Sequence, residues 1–192
     1  TKCVQRCSKN CVSHLSIKGE GKEKYMDFSD ENPCVYCGQC TLVCPINCIR
    51  EQNSVEDVKN ALKDESKVVI VQSAPAVRTS IGEIFKMEHN ISIEKKLNTA
   101  YRLLGFNKIF DVNFGADITT IVEADELIER LEKNENLPMF TACCPSWVEY
   151  VKKYHPELKN NLTTARSPVI HAGIAYKTWW AEKNNIDPKN IV

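Results

Sequence analysis

The chain has 192 residues, with 25 Lys+Arg against 25 Asp+Glu and a hydrophobic content of 43%. That length holds one domain of ordinary size with a small appendage. The formal net charge of zero leaves no global basic field for nucleic acid, and no apolar run reaches the length of a transmembrane helix, so neither nucleic acid nor membrane is an expected partner. Nothing upstream of the cysteines reads as a signal peptide, and unpaired thiols point to a reducing, cytoplasmic compartment.

Taken in chain order, the first stretch is cysteine-rich, with Cys3, Cys7 and Cys11 followed by Cys34, Cys37, Cys40, Cys44 and Cys48. The run Cys34-Val35-Tyr36-Cys37-Gly38-Gln39-Cys40-Thr41-Leu42-Val43-Cys44-Pro45 is a C-x2-C-x2-C-x3-C-P motif. Three thiolates at that spacing wrap one corner of a 4Fe–4S cubane, and a fourth before proline reaches the other cluster of a two-cluster ferredoxin. A zinc ribbon needs two C-x2-C pairs a dozen or more residues apart, and these cysteines sit too close together for a disulfide framework. Residues 1–52 are therefore expected to form a small ferredoxin-like cluster domain that folds around its metal.

Residues 53–192 change texture. Ser54 is a plausible N-cap for a helix to about Lys63, and Lys67–Val71 reads as a short buried strand. After Ala74-Pro75 a helix carries Ile81, Ile84 and Phe85, and another runs from Ile93 to Leu104 and stops at Gly105. A strand at Lys108–Val112 leads to a long helix from about Ala116 to Lys133, then a strand at Pro138–Thr141. Pro145 and Ser167-Pro168 open the last helices. Strand and helix alternate, so the body is expected to be α/β with a partly parallel sheet. Ligands of such sheets lie beyond the carboxyl ends of the strands, so Ser73–Pro75, Asn113–Gly115 and Ala142–Pro145 are expected to converge on one site.

At the last of these ends stands Cys143-Cys144. Two buried, inert thiols are the bland reading of such a pair. A helix N-terminus favours a thiolate, which is the chemical alternative. The surrounding run, Thr141-Ala142-Cys143-Cys144-Pro145-Ser146-Trp147, resembles the T-S-C-C-P-x-W loop of the iron–iron hydrogenases. Ala74-Pro75-Ala76-Val77-Arg78 with Ser80-Ile81-Gly82-Glu83 resembles the family's A-P-S-V-R…S-I-G-E segment. Phe106–Asp117, His155-Pro156-Glu157-Leu158 and Ser167-Pro168 are similar to it as well.

The resemblance implies reversible interconversion of hydrogen with protons and electrons. It implies that Cys144 holds the cubane half of the hydrogen-activating H-cluster, and that Cys143 exchanges protons beside the two-iron subcluster. The relay it implies continues through Glu123, Thr163 and Glu126, with Arg130 near the outer end. Glu123 and Glu126 lie three residues apart, hence on one helix face, where a solvated surface is the bland reading. Ala74, Pro75 and Ala76 match the wall around the bridging dithiolate, with alanine where serine is common. The implied partners are ferredoxin or a similar electron carrier, maturation proteins, and the remaining half of the hydrogenase domain in the same or another chain.

Two departures from the family stand out. The first burst is Cys3-x3-Cys7-x3-Cys11, where the family has C-x2-C-x2-C-x3-C. By the crossed ligand rule Cys34, Cys37, Cys40 and Cys11 hold one cubane, and Cys3, Cys7 and Cys44 offer three thiolates to a second. Cys48 or His14 could complete it, or the site could hold a three-iron or labile cluster, and the favoured reading of Cys48 is a core thiol. Second, of the four H-cluster cysteines the family uses, only Cys144 falls in these 192 residues, so this stretch alone is expected to be inactive. Two other readings are a non-catalytic electron-transfer, sensing or cluster-assembly relative, which typically lacks the cysteine retained here as Cys143, and a ferredoxin fused to an α/β domain, which leaves Cys143-Cys144 unexplained.

Overall fold

The computed structural model describes residues 17–27, 33–47, 49–87 and 93–192. Cys3, Cys7, Cys11, His14 and Cys48 lie outside the described residues. The chain divides into two compact units, one of residues 1–53 with 138–163 and one of 54–137 with 164–192.

In the first unit, β1 (Ile17–Lys18) and β2 (Tyr25–Met26) pair antiparallel, and Lys18 meets Asp27 at 2.8 Å. The cysteine loop follows, with a 3-10 turn at Thr41–Val43. The unit's later part holds a ten-residue helix, Pro145–Tyr154, and a 3-10 segment, Pro156–Asn161. The strand expected at Pro138–Thr141 does not form. Phe140 alone bridges Leu162 in parallel, through Phe140 N–H to Asn161 O (2.8 Å) and Thr163 N–H to Phe140 O (2.8 Å). Pro138 has no N–H to donate, and its carbonyl accepts the Asn161 side-chain amide at 2.9 Å instead of a ladder partner.

The second unit is built on a parallel pair, β3 (Ile70–Ser73) and β4 (Lys108–Asp111), in register Ile70↔Lys108 to Ser73↔Asp111. It is the α/β architecture with a parallel sheet that the alternation of elements predicts. Ahead of β3 lies α1 (Val55–Lys63), which starts beside Ser54 without a side-chain cap. The crossover from β3 to β4 contains α2 (Pro75–Ile84) and α3 (Glu94–Leu103). Gly105, at φ +98°, ends α3 in the left-handed conformation expected of it. β3 starts later than its apolar run suggests, because Val68 pairs on the other side, with Ile191, through Val68 N–H to Asn190 O (2.8 Å) and Val192 N–H to Val68 O (3.0 Å). Asn107 seals the gap: its side-chain oxygen accepts the Val69 N–H at 2.6 Å.

After β4, α4 runs from Asn113 to Lys133. It begins three residues before the expected start because the Asp111 carboxylate accepts the Asn113 N–H at 2.9 Å and satisfies an orphan donor of the first turn. Asn113–Gly115 is thus helix and not a strand-end loop. Asn134, left-handed at φ 53°, closes α4. To keep chain order, the helix Pro145–Tyr154 of the other unit is α5. α6 (Pro168–Ala175) packs along α4 and passes through a π-helical turn at Tyr176–Trp180 into α7 (Ala181–Lys183). The wider π spacing lets Tyr176 stack on Phe110 (centroids 4.2 Å) while Trp180 meets the same ring edge-on (5.5 Å). Burial, with Asp111 adding to it, raises the Tyr176 phenol, so it stays a neutral core ring.

The α4–α6 contact tolerates no side chain at Gly115, where a Cβ would come 2.0 Å from the Pro168 carbonyl oxygen and 2.8 Å from Ala172 Cβ. Both neighbours are fixed, one of them backbone. Gly115→Ala is therefore expected to lower stability by about 3 kcal/mol or more, read as a fall in the denaturant midpoint. An unchanged midpoint would mean that these helices are not packed this closely.

Candidate functional site

The cysteine loop coils through left-handed residues, Tyr36 at φ 56°, Gly38 at φ +75° and Asn47 at φ 50°. Such conformations are costly outside glycine and persist where surroundings demand them. They turn the chain back on itself between successive cysteines. The Tyr36 N–H donates to Cys34 Sγ at 3.3 Å, the kind of amide contact a thiolate ligand accepts. The Thr41 N–H closes a turn on Gly38 O at 3.0 Å, and its hydroxyl reaches Glu51 at 2.5 Å, which holds that carboxyl below its usual range. Cys34, Cys40 and Cys44 are half-buried and Cys37 is exposed. Among the described residues, no three Cys, His, Asp or Glu side chains are already gathered as a metal site. The donor set nonetheless fits a cubane: soft thiols at ferredoxin spacing, on a coiled loop with an amide already aimed at sulfur, and no disulfide among them.

Two residues at the end of α5 hold this loop. Lys153 Nζ donates to Cys34 O at 2.7 Å and lies 5.0 Å from the Tyr36 ring centroid. Tyr154 Oη donates to Pro33 O at 3.0 Å. At the opposite end of the same helix stand Cys143 and Cys144, both exposed. Cys144 is the N-cap, extended at φ −95° and ψ 112°, and its carbonyl accepts the Val148 N–H at 3.1 Å. Pro145 at the first helical position, with φ pre-set, forces that sharp entry.

A ladder of rings stiffens the helix between the two ends. Phe140 meets Trp147 edge-on at 6.0 Å, Trp147 stacks with Tyr150 at 6.0 Å, and Tyr150 stacks with Tyr154 at 5.3 Å. Trp147 also donates its indole N–H to Thr141 O at 3.1 Å, pinning the chain just ahead of the cysteine pair. A ten-residue helix is about 15 Å long, so α5 sets a fixed spacing between the Cys34 loop and the cysteine pair.

In the second unit, Glu126 and Arg130 form a tight pair on α4, with Nη2 to Oε1 at 2.5 Å and Nε to Oε1 at 3.1 Å. Their side chains are only 15% and 10% exposed. Arg130 also donates to Asn136 O at 3.1 Å. The Thr164 N–H donates to Glu126 Oε2 at 3.0 Å, and the Thr164 hydroxyl to the same oxygen at 3.2 Å. Glu126 is therefore no solvated surface residue, and Glu123, half-buried, shares its face. Thr163 is buried and carries the Phe140 bridge. Ala74 caps α2, followed by Pro75 and Ala76 in its first turn, at the carboxyl end of β3. Arg78, one turn on, forms an ion pair with Asp111 at the matching end of β4, so the two strand ends of this unit are tied together.

Residues 67–192 match the family described as the iron-only hydrogenase large subunit, C-terminal domain. The chain belongs to that family. It is similar to iron hydrogenase 1 of Clostridium pasteurianum, at 46% identity over 99% of this chain and 34% of that protein. The large subunit of the periplasmic Fe hydrogenase of Nitratidesulfovibrio vulgaris is 37% identical over 84% of this chain and 47% of its own length. Among solved structures, the apo FeFe-hydrogenase HydA1 from Chlamydomonas reinhardtii superposes with a TM-score of 0.68 at 37% identity, over 73% of this chain and 37% of that one. The cytosolic iron–sulfur assembly component 3 of Bos taurus is more distant, at 25% identity over 93% of this chain. The chain spans between about a quarter and a half of the length of the hydrogenases it matches.

For this hydrogenase-family chain, the structure brings Glu126 and Arg130 into one polar cluster and places Cys143 and Cys144 at one helix start. The cysteine pair and the Glu126 cluster belong to different units. Sequence reasoning missed Thr164, whose amide and hydroxyl both reach Glu126, because adjacent threonines differ in no property except the direction the chain gives them. It also missed Lys153 and Tyr154, although the spacing of Trp147, Tyr150 and Tyr154 marks one helix face.

Proposed function

We propose that this chain is the cluster-bearing, proton-delivering part of an iron–iron hydrogenase that interconverts hydrogen with protons and electrons. The single observation that supports this most is the placement of Cys143-Cys144-Pro145 at the start of α5, with the Cys34–Cys44 loop anchored to the other end of that helix. Cys34, Cys37 and Cys40, with Cys11, would hold one 4Fe–4S cluster. Cys3, Cys7 and Cys44 would serve a second. Cys144 would be the first ligand of the H-cluster. When bound, these groups supply one-electron transfer and the activation of hydrogen.

The chain's own residues do the rest. Cys143, next to a ligand and unable to share its neighbour's iron, gives and takes the proton at the cluster face. Glu123 and Glu126, on one face of α4, would carry it onward, with Thr163 as the hydroxyl member of the relay and Arg130 orienting Glu126. The first turn of α2, with Ala74, Pro75 and Ala76, would wall the two-iron subcluster. Residues 1–52 would act as the ferredoxin-like module and 53–192 as the start of the catalytic domain. Ferredoxin or a similar carrier would exchange electrons, maturation proteins would install the cofactor, and the cytoplasm would be the site of action. No helix among the described residues is long and apolar enough to cross a membrane.

The test is hydrogen evolution from a reduced one-electron dye, using the polypeptide that carries this segment together with the ligands the family places after it, matured with the two-iron cofactor. Sustained evolution is expected. A fully loaded protein that evolves no hydrogen would favour the assembly-type reading. In the same assay Glu126→Gln keeps an acceptor for Arg130 and Thr164 but cannot carry a proton. It should be slower by about tenfold or more, while Thr163→Ser, which retains a hydroxyl, stays near the parent rate. Equal rates for Glu126→Gln and the parent would remove Glu126 from the path.

A further inference from the structure

Lys152 and Lys153 are neighbours on the last turn of α5, yet their ammonium groups go to different places. Lys152 pairs with Glu149 at 3.0 Å on an exposed face, as an ordinary helix pair does. The Lys153 side chain is half-buried, donates to the carbonyl of Cys34 at 2.7 Å and sits over the Tyr36 ring at 5.0 Å. Both contacts fall on the first C-x2-C step of the cluster loop. Tyr36 is the residue whose amide donates to Cys34 Sγ, so the ammonium is attached to the same backbone turn that presents the Cys34 sulfur.

We propose that Lys153 tunes the reduction potential of the cluster held by the Cys34 loop, a role that rests on the cluster reading above. An ammonium this close to a thiolate ligand interacts with the cluster through a partly buried path in which water screens poorly. Adding an electron makes an already anionic cluster more negative. A fixed positive charge therefore stabilises the reduced form and raises the potential, in the same way that cluster potentials respond to net charge and hydrogen bonding around sulfur. The cation–π contact with Tyr36 holds the ammonium in place and sets its distance. Lys153 acts through the cluster's surroundings and is a positioning residue: it touches neither hydrogen nor the reacting protons. Because α5 also starts at Cys144, the same helix would fix both the spacing of the electron input and its driving force.

The experiment is an EPR-monitored redox titration of the anaerobically reconstituted protein, following the signal that Cys37→Ser abolishes. Lys153→Met drops the charge and the donor. Lys153→Gln drops the charge but keeps a donor for the Cys34 carbonyl. Lys153→Arg keeps the charge. With iron content equal to the parent, both neutral variants should lower the reduced-to-oxidised ratio at fixed poise by threefold or more. That corresponds to a shift of roughly 30 mV to more negative potential for a one-electron couple. Lys153→Arg should titrate with the parent. A fully loaded Lys153→Gln protein with an unmoved midpoint would overturn the proposal, as would an Arg variant displaced as far as the Gln one. Failure of both neutral variants to take up iron would also overturn it, assigning the lysine to holding the loop. A parent protein that takes up no cluster would instead defeat the reading on which the proposal rests.

Discussion

Replacing Cys143 by alanine is expected to reduce hydrogen turnover by two to four orders of magnitude while the assembled cluster keeps its spectrum. The factor is that of a positioned group exchanging protons in the rate-determining region, about 10²–10⁴. Cys143 is exposed at the turn into α5, one residue before the N-cap Cys144, and adjacent side chains at such a turn point in different directions. One thiol can therefore ligate while the other stays free to take a proton. Removing the Cys143 thiol leaves the Phe140 bridge, the Trp147 contact to Thr141 and the Pro145 entry in place, so the turn should persist. Cys143→Asp should retain part of the activity, since a carboxyl group also exchanges protons. Cys144→Ala should behave differently and lose the cluster itself. Parent-like turnover in Cys143→Ala, measured with full iron content, would return Cys143 to the role of an ordinary thiol.

The second large effect is on the cluster loop. Cys37→Ser is expected to abolish the EPR signal of the best-formed cubane and to lower the iron content accordingly. A serine oxygen is a poor substitute for a thiolate on iron, and Cys37 is the central cysteine of three spaced by two residues. A loop whose turns include left-handed Tyr36 and Gly38 should also lose order without its metal, since binding and folding are coupled in small cysteine-rich segments. Cys48→Ser should leave the signal unchanged if Cys48 is a core thiol. A Cys37→Ser protein with a parent-like cubane would show that another residue ligates in its place.

Much of the second unit was legible because it rests on local signals. The apolar run before Ala74-Pro75 and the one before Asn113 became β3 and β4, Pro168 opens a helix there, as Pro145 does in the first unit, and Gly105 ends one. The errors fall where distant partners decide. Val68 left the β3 ladder because Ile191 pairs with it, and Asp111 started α4 early by capping Asn113. The Pro138–Thr141 strand failed because a proline cannot donate to a ladder. At the candidate site, the cysteine spacings announce their chemistry in one dimension. The burial of Glu126 does not: its helix spacing also suits a solvated face, and only the fold brings Thr164 to it. The tie between Lys153 and Cys34 spans more than a hundred residues of sequence and has no local signature at all.

The central claim, that this chain carries redox clusters for a hydrogenase, is tested most directly by iron and sulfide analysis with low-temperature EPR after anaerobic reconstitution. At least about four irons per chain, with a reduced 4Fe–4S signal at a potential in the range of about −700 to +450 mV known for such clusters, is the predicted result. Fewer than about two irons per chain, with no such signal on reduction, would contradict it, because the C-x2-C-x2-C-x3-C-P loop would then bind no cubane.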